Sequence, residues 1–171
     1  MLFVDADEIV SPNLAAEINQ AVNNSAIKGY FVHRVDYIWG SQLKHGDVGA
    51  VYLLRLGQVG NGLWQGKVHE TWNITGVTGR LKEPLLHYPH QTLYAFLQSI
   101  NSYSDLRAAE LKELQIRSGI FPIFLYPLGK FINLWVFKAG ILDGIPGLIH
   151  ALIMSFYSFL VRGKLYLLSK T

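Results

Sequence analysis

The chain has 171 residues and a mass of 19.3 kDa, enough for one substantial hydrophobic core and short for two comfortable domains. Half of it is hydrophobic, only 16% is charged and there is no cysteine, which excludes disulfide frameworks, thiolate metal sites and cysteine nucleophiles. The net charge of +3 is unevenly spread: from Phe121 onward five Lys or Arg stand against one acid, Asp143, in the most apolar part of the chain, a pairing that points to an anionic membrane surface rather than nucleic acid.

The chain opens Leu2-Phe3-Val4-Asp5-Ala6-Asp7-Glu8. The apolar run reads as a strand buried on both faces, and strand alternation would point Asp5 and Asp7 the same way with a small residue between them. Two convergent carboxylates make a hard-oxygen site suited to Mg2+ or Mn2+, with the rest of the shell supplied by a substrate diphosphate. The plainer reading is a pair of acids favoured by the dipole of the helix that follows. Ser11-Pro12 supplies an N-cap and an N1 proline, and Leu14, Ile18 and Val22 repeat at helical spacing, so a helix is expected over 12–22.

Gly29 to Trp39 and Val51 to Leu56 read as strands, and Gly60-Asn61-Gly62 as a turn. Trp64-Gln65-Gly66-Lys67-Val68-His69-Glu70 follows as a short strand or loop, and Pro84 to Tyr88 as a brief apolar strand carrying His87. From Thr92 the period changes: Leu93, Phe96, Leu97, Ile100, Tyr103, Leu106, Leu111 and Leu114 trace one stripe of an amphipathic helix that ends before Gly119. Beyond it the chain is strongly apolar, and residues 144–161 carry no charge. Helices lying in a membrane interface, a true span, and a buried or dimeric interface are all compatible with this segment. Residues 1–20 lack the basic start and apolar core of a secretory leader.

The order of these features resembles a family. Phe3-Val4-Asp5-Ala6-Asp7-Glu8 before a Ser-Pro-capped helix is similar to the Asp-x-Asp segment of family 2 glycosyltransferases with the GT-A fold. Tyr52-Leu53-Leu54-Arg55-Leu56, Trp64 to Glu70, Leu85-Leu86-His87-Tyr88 and Leu142-Asp143-Gly144-Ile145-Pro146-Gly147 look like the branch that builds lipopolysaccharide core and other cell-envelope glycans. The resemblance implies an α/β fold: a partial GT-A domain over 1–118 lacking the N-terminal nucleotide-binding half, then a hydrophobic helical membrane-association region over 119–171. An upstream-encoded N-terminal half would be the natural partner.

The implied activity is metal-dependent, inverting transfer of a hexose from a nucleotide-sugar donor to a lipid-linked glycan acceptor, at the cytoplasmic face of the cell membrane and without nucleic acid. By the same resemblance Asp5, Asp7 and His87 hold the divalent cation, Asp5, Arg55 and Trp64 contact substrate, and Glu70 is the general base oriented by His69. Each has a structural alternative: a strand-end Glu, a satisfied His, a solvated Arg, a core Trp. Asp143 reads as a local capping or pairing group. Two rival functions stay in view. A haloacid dehalogenase-type phosphohydrolase also opens on Asp-x-Asp but needs a later acidic pair that this sequence lacks; a non-catalytic, membrane-peripheral remnant or partner subunit needs none of the chemistry.

Overall fold

The computed structural model describes residues 1–49, 51–65, 71–89 and 91–170. The chain is mixed α/β with two apolar helices at its C-terminal end, and it forms two compact units. The first comprises residues 1–37 and 48–89, the second 38–47 and the segment from 90 onward. This division departs from the 1–118 and 119–171 regions read from composition, because the long amphipathic helix packs with the apolar helices that follow it.

In the first unit, strand β1 (Glu8–Val10) leads through Ser11 into helix α1 (Pro12–Ala21). The Ser11 hydroxyl accepts the Leu14 amide at 3.1 Å and Pro12 occupies the first helical turn, so the helix begins where the sequence places it. Strand β2 (Gly29–Ile38) is the spine of the sheet. On one side it pairs antiparallel with β4 (Val51–Gly57); on the other it runs parallel to β7 (Thr78–Arg80) and then to β8 (Leu85–His87), which in turn pairs antiparallel with β1. Leu14, Tyr30, Val32, Leu56, Leu81 and Leu85 form the core under α1. A two-stranded sheet of β5 (Gly62–Gln65) and β6 (Thr71–Ile74) lays Trp72 over Gly57 and Gly62; a Cβ at Gly62 would stand 2.3 Å from the Trp72 indole nitrogen, so only glycine fits beneath the ring.

The opening residues are not the buried central strand expected of them. Leu2 makes a single bridge to Leu56, the Phe3 amide donates to the Arg55 carbonyl at 2.9 Å, and Val4 is exposed. The regular strand begins only at Glu8, because residues 5–8 close a turn: the Glu8 amide donates to the Asp5 carbonyl at 3.0 Å and the Asp5 amide to the Glu8 carboxylate at 2.9 Å.

The second unit holds the short strand β3 (Ser41–Leu43) and helices α2 (Leu93–Glu113), α3 (Ile120–Ile132) and α4 (Gly144–Leu168). A π-helical turn, Asn133–Phe137, and a 3-10 turn, Gly140–Asp143, join α3 to α4. The buried stripe of α2 is Phe96, Ile100, Ser104, Ala108 and Leu111. Leu93, Leu97, Tyr103, Leu106 and Leu114, expected on the same stripe, remain exposed, because the small Ser104 and Ala108 let α2 approach α4 closely. Ala139 and Gly144 take left-handed φ values of 55° and 63° at the junction, and a Cβ on Gly147 would lie 2.3 Å from the Gly140 carbonyl oxygen.

Candidate functional site

The candidate site belongs to the first unit and is built where β1, β2, β4 and β8 bring polar side chains together. Asp5 does not share a partner with Asp7. Arg55, on β4, forms an ion pair with Asp5 and a second one, at 2.8 Å, with Glu8. The Glu8 side chain is fully enclosed, whereas that of Asp5 is more than half exposed, so Arg55 serves first as the counter-charge of a buried carboxylate. The turn at 5–8 replaces the expected strand alternation and sends the two aspartates to different neighbours, Asp5 to Arg55 and Asp7 to His87.

Asp7 faces His87. Its carboxylate Oδ2 lies 3.3 Å from His87 Nε2, and its carbonyl accepts the Tyr88 amide at 2.8 Å, which continues the β1–β8 ladder past Glu8 and His87. On the other side of the ring, His87 Nδ1 is hydrogen-bonded to Asp36 Oδ1, and Asp36 is wholly buried on β2, directly opposite His87 in the parallel register. Arg34 lies on the same face of β2 two residues earlier; its Nε is 3.2 Å from Asp36 Oδ1 and its Nη2 donates to Oδ2 at 3.4 Å. Tyr37 and Tyr88, which follow Asp36 and His87 in the chain, stack on each other with ring centroids 5.3 Å apart.

The row Asp7, His87, Asp36, Arg34 has a chemical direction. Asp36 engages Nδ1 from the buried side, which leaves Nε2 as the ring nitrogen that faces Asp7. A carboxylate behind an imidazole is the arrangement that fixes ring and tautomer in metal-binding histidines. Asp7 and His87 thus form a two-membered oxygen and nitrogen donor set, suited to Mg2+ or Mn2+ if substrate oxygens and water complete the shell. Among the described residues no group of three or more His, Asp or Glu side chains is arranged to hold a metal by itself.

Trp64 is part of an aromatic cluster, 5.0 Å edge-on from Phe3 and 6.2 Å stacked on Trp72, with nearly half of its surface exposed. Glu70 and His69, the expected base and its orienting partner, lie outside the described residues. Asp143 pairs over a long range rather than locally: it accepts from the Lys44 and His45 amides at 3.0 and 2.8 Å and contacts the His45 ring at 2.7 Å. Sequence reasoning overlooked Asp36 and Arg34. Their signal was two charged residues at period 2 inside an otherwise apolar and aromatic strand, Tyr30 to Ile38.

No protein-family model matches the chain.

Proposed function

We propose that the chain belongs to a metal-dependent, inverting GT-A glycosyltransferase that adds a hexose from a nucleotide-sugar to a lipid-linked saccharide at the cytoplasmic face of a membrane. The observation that carries this reading is the Asp7–His87–Asp36 row, a carboxylate and an oriented imidazole at the end of adjacent strands. The chain also carries two helices long and apolar enough to cross or enter a membrane, which suits a lipid-linked acceptor.

In this reading Asp7 and His87 would hold a divalent cation, which when bound supplies positive charge against the donor diphosphate. Asp36 holds His87 Nδ1 and so fixes the ring with Nε2 toward Asp7, and Arg34 pairs with Asp36 from behind. Glu70 takes the proton of the acceptor hydroxyl, whose oxygen forms the new bond to the anomeric carbon as the bond from that carbon to the phosphate oxygen breaks and the nucleoside diphosphate departs. Glu70 receives this role from the family resemblance alone.

The test is transfer of labelled sugar from a panel of nucleotide-sugars into the lipid fraction, with Mn2+, Mg2+ or chelator, for the wild type, Asp7→Asn and His87→Ala. Metal-dependent transfer lost in both variants supports the reading. Wild-type rates in both variants would remove the site, and transfer that persists in chelator would remove the cation.

A further inference from the structure

We infer that the α3–α4 hairpin lies in the plane of one leaflet of an anionic bilayer and does not cross it. This sharpens the membrane part of the proposed function and stands without its chemistry, because the test below reads binding and sidedness rather than sugar transfer.

The segments Ile120–Phe137 and Gly140–Leu168 have the length and hydropathy of membrane spans, yet only 6% and 28% of their most apolar windows are buried. Their exposed residues form stripes. Phe121, Phe124 and Leu128 follow one another at helical spacing on α3, Leu142 stands on the 3-10 turn, and Ile145 and Leu152 continue along α4, all at least half exposed. Elsewhere the two helices are engaged within the protein, α3 through an ion pair and α4 through apolar packing. Lys130, in the middle of the Ile120–Phe137 run, donates to Asp47 at 2.5 Å, and Lys138 to the same carboxylate at 2.6 Å. Along α4, Ile153 packs on Phe96 and Ile100 of α2, and Val161 and Leu165 on Ala108 and Leu111, so α2 accompanies α4 over much of its length.

Helix α2 carries Asp105, Arg107, Glu110, Lys112 and Glu113, and Lys164 of α4 reaches Asp105 at 2.7 Å. A perpendicular α4 would carry these charges, and the Lys130–Asp47 pair on α3, into hydrocarbon, where each disfavours insertion. An in-plane hairpin keeps them at the water side while the apolar stripes enter the acyl region.

Charge selects the lipid. The unit of residues 38–47 and 90–171 has nine Lys or Arg against five Asp or Glu, whereas the other unit has six against seven. The Arg162 guanidinium sits 3.7 Å over the Tyr126 ring and the Lys170 ammonium 4.7 Å over Tyr166, pairings suited to headgroup depth.

The cysteine-free chain allows a direct test. Single cysteines are placed by Lys44→Cys, Lys112→Cys and Phe124→Cys in the full chain, expressed in cells, and membrane vesicles of both orientations are treated with an impermeant maleimide. Lys44→Cys and Lys112→Cys are expected to label from the same side, and Phe124→Cys to be protected until detergent is added. Labelling of the first two from opposite sides overturns the in-plane placement.

In parallel, the purified chain is floated with vesicles of phosphatidylcholine alone or with about a third phosphatidylglycerol. Binding is expected to be roughly tenfold tighter to the anionic vesicles, and to fall by a similar factor for Phe124→Glu and Leu142→Glu. Both sites are exposed, and thermal melts check that the variants fold. Equal binding to both vesicles, or undiminished binding by both variants, overturns the inference. So does a stable dimer in solution that buries Phe124 and binds no vesicle.

Discussion

Arg55 and Asp36 decide what the acids of the first unit can do. Arg55→Met leaves the enclosed Glu8 carboxylate without its counter-charge and is expected to cost about 3–5 kcal/mol in urea denaturation. Asp5→Asn, which removes the exposed partner of the same guanidinium, is expected to cost less than about 1 kcal/mol. A reversed order would mean that Asp5, not Glu8, anchors Arg55. Asp36→Asn keeps the shape of the side chain but removes the charge behind His87. Mn2+ affinity, read by electron paramagnetic resonance titration, is expected to fall about 10–100-fold, and an unchanged affinity would detach the histidine from any metal site. Asp7 and His87 entered as candidates through the family resemblance, and the structure brings the two side chains together. The expected shared direction of Asp5 and Asp7 fails because alternation holds only where the backbone is extended, and four residues of turn are enough to cancel it.

Among the elements, those governed by local chemistry were readable and those governed by packing were not. Helix α1 follows from its serine cap and N1 proline, and β2, β4 and β8 from their composition, each within a residue or two of its observed bounds. The buried face of α2 could not be read from its large apolar residues, since what decides it is the pair of small residues against α4. The loop at 44–47 is another element fixed from far away. Burial alone would raise the affinity of Asp47 for its proton, but the hydrogen bonds and charges of Lys130 and Lys138 outweigh it, so the carboxyl titrates below its ordinary value of 3.8. The resulting stabilisation is full above that ordinary value and is lost as pH falls through the lower, folded value. Thermal melts from pH 6 to pH 2.5 are therefore expected to show a steeper acid decline for the wild type than for Asp47→Asn. Parallel curves would show that the two lysines do not hold this carboxylate in solution.

At the scale of the whole molecule, the positive excess lies in one unit and the candidate chemistry in the other. Association with anionic membranes is thus expected to weaken as salt rises from about 0.05 to 0.5 M, the screening length shrinking severalfold, while apolar insertion leaves a salt-resistant remainder; sedimentation with membranes across that range measures both. Composition revealed the charge asymmetry but not the boundary between the units, because residues 38–47 join helices that follow them by half the chain. The His45–Asp143 contact has a consequence in time. Its partners are 98 residues apart, and a ribosome adding about 5–20 residues per second leaves the histidine waiting roughly 5–20 s for its aspartate. During that interval the greasy helix at 120–132 is already being delivered, so a nearby lipid surface can receive it before the loop it will be tied to has closed.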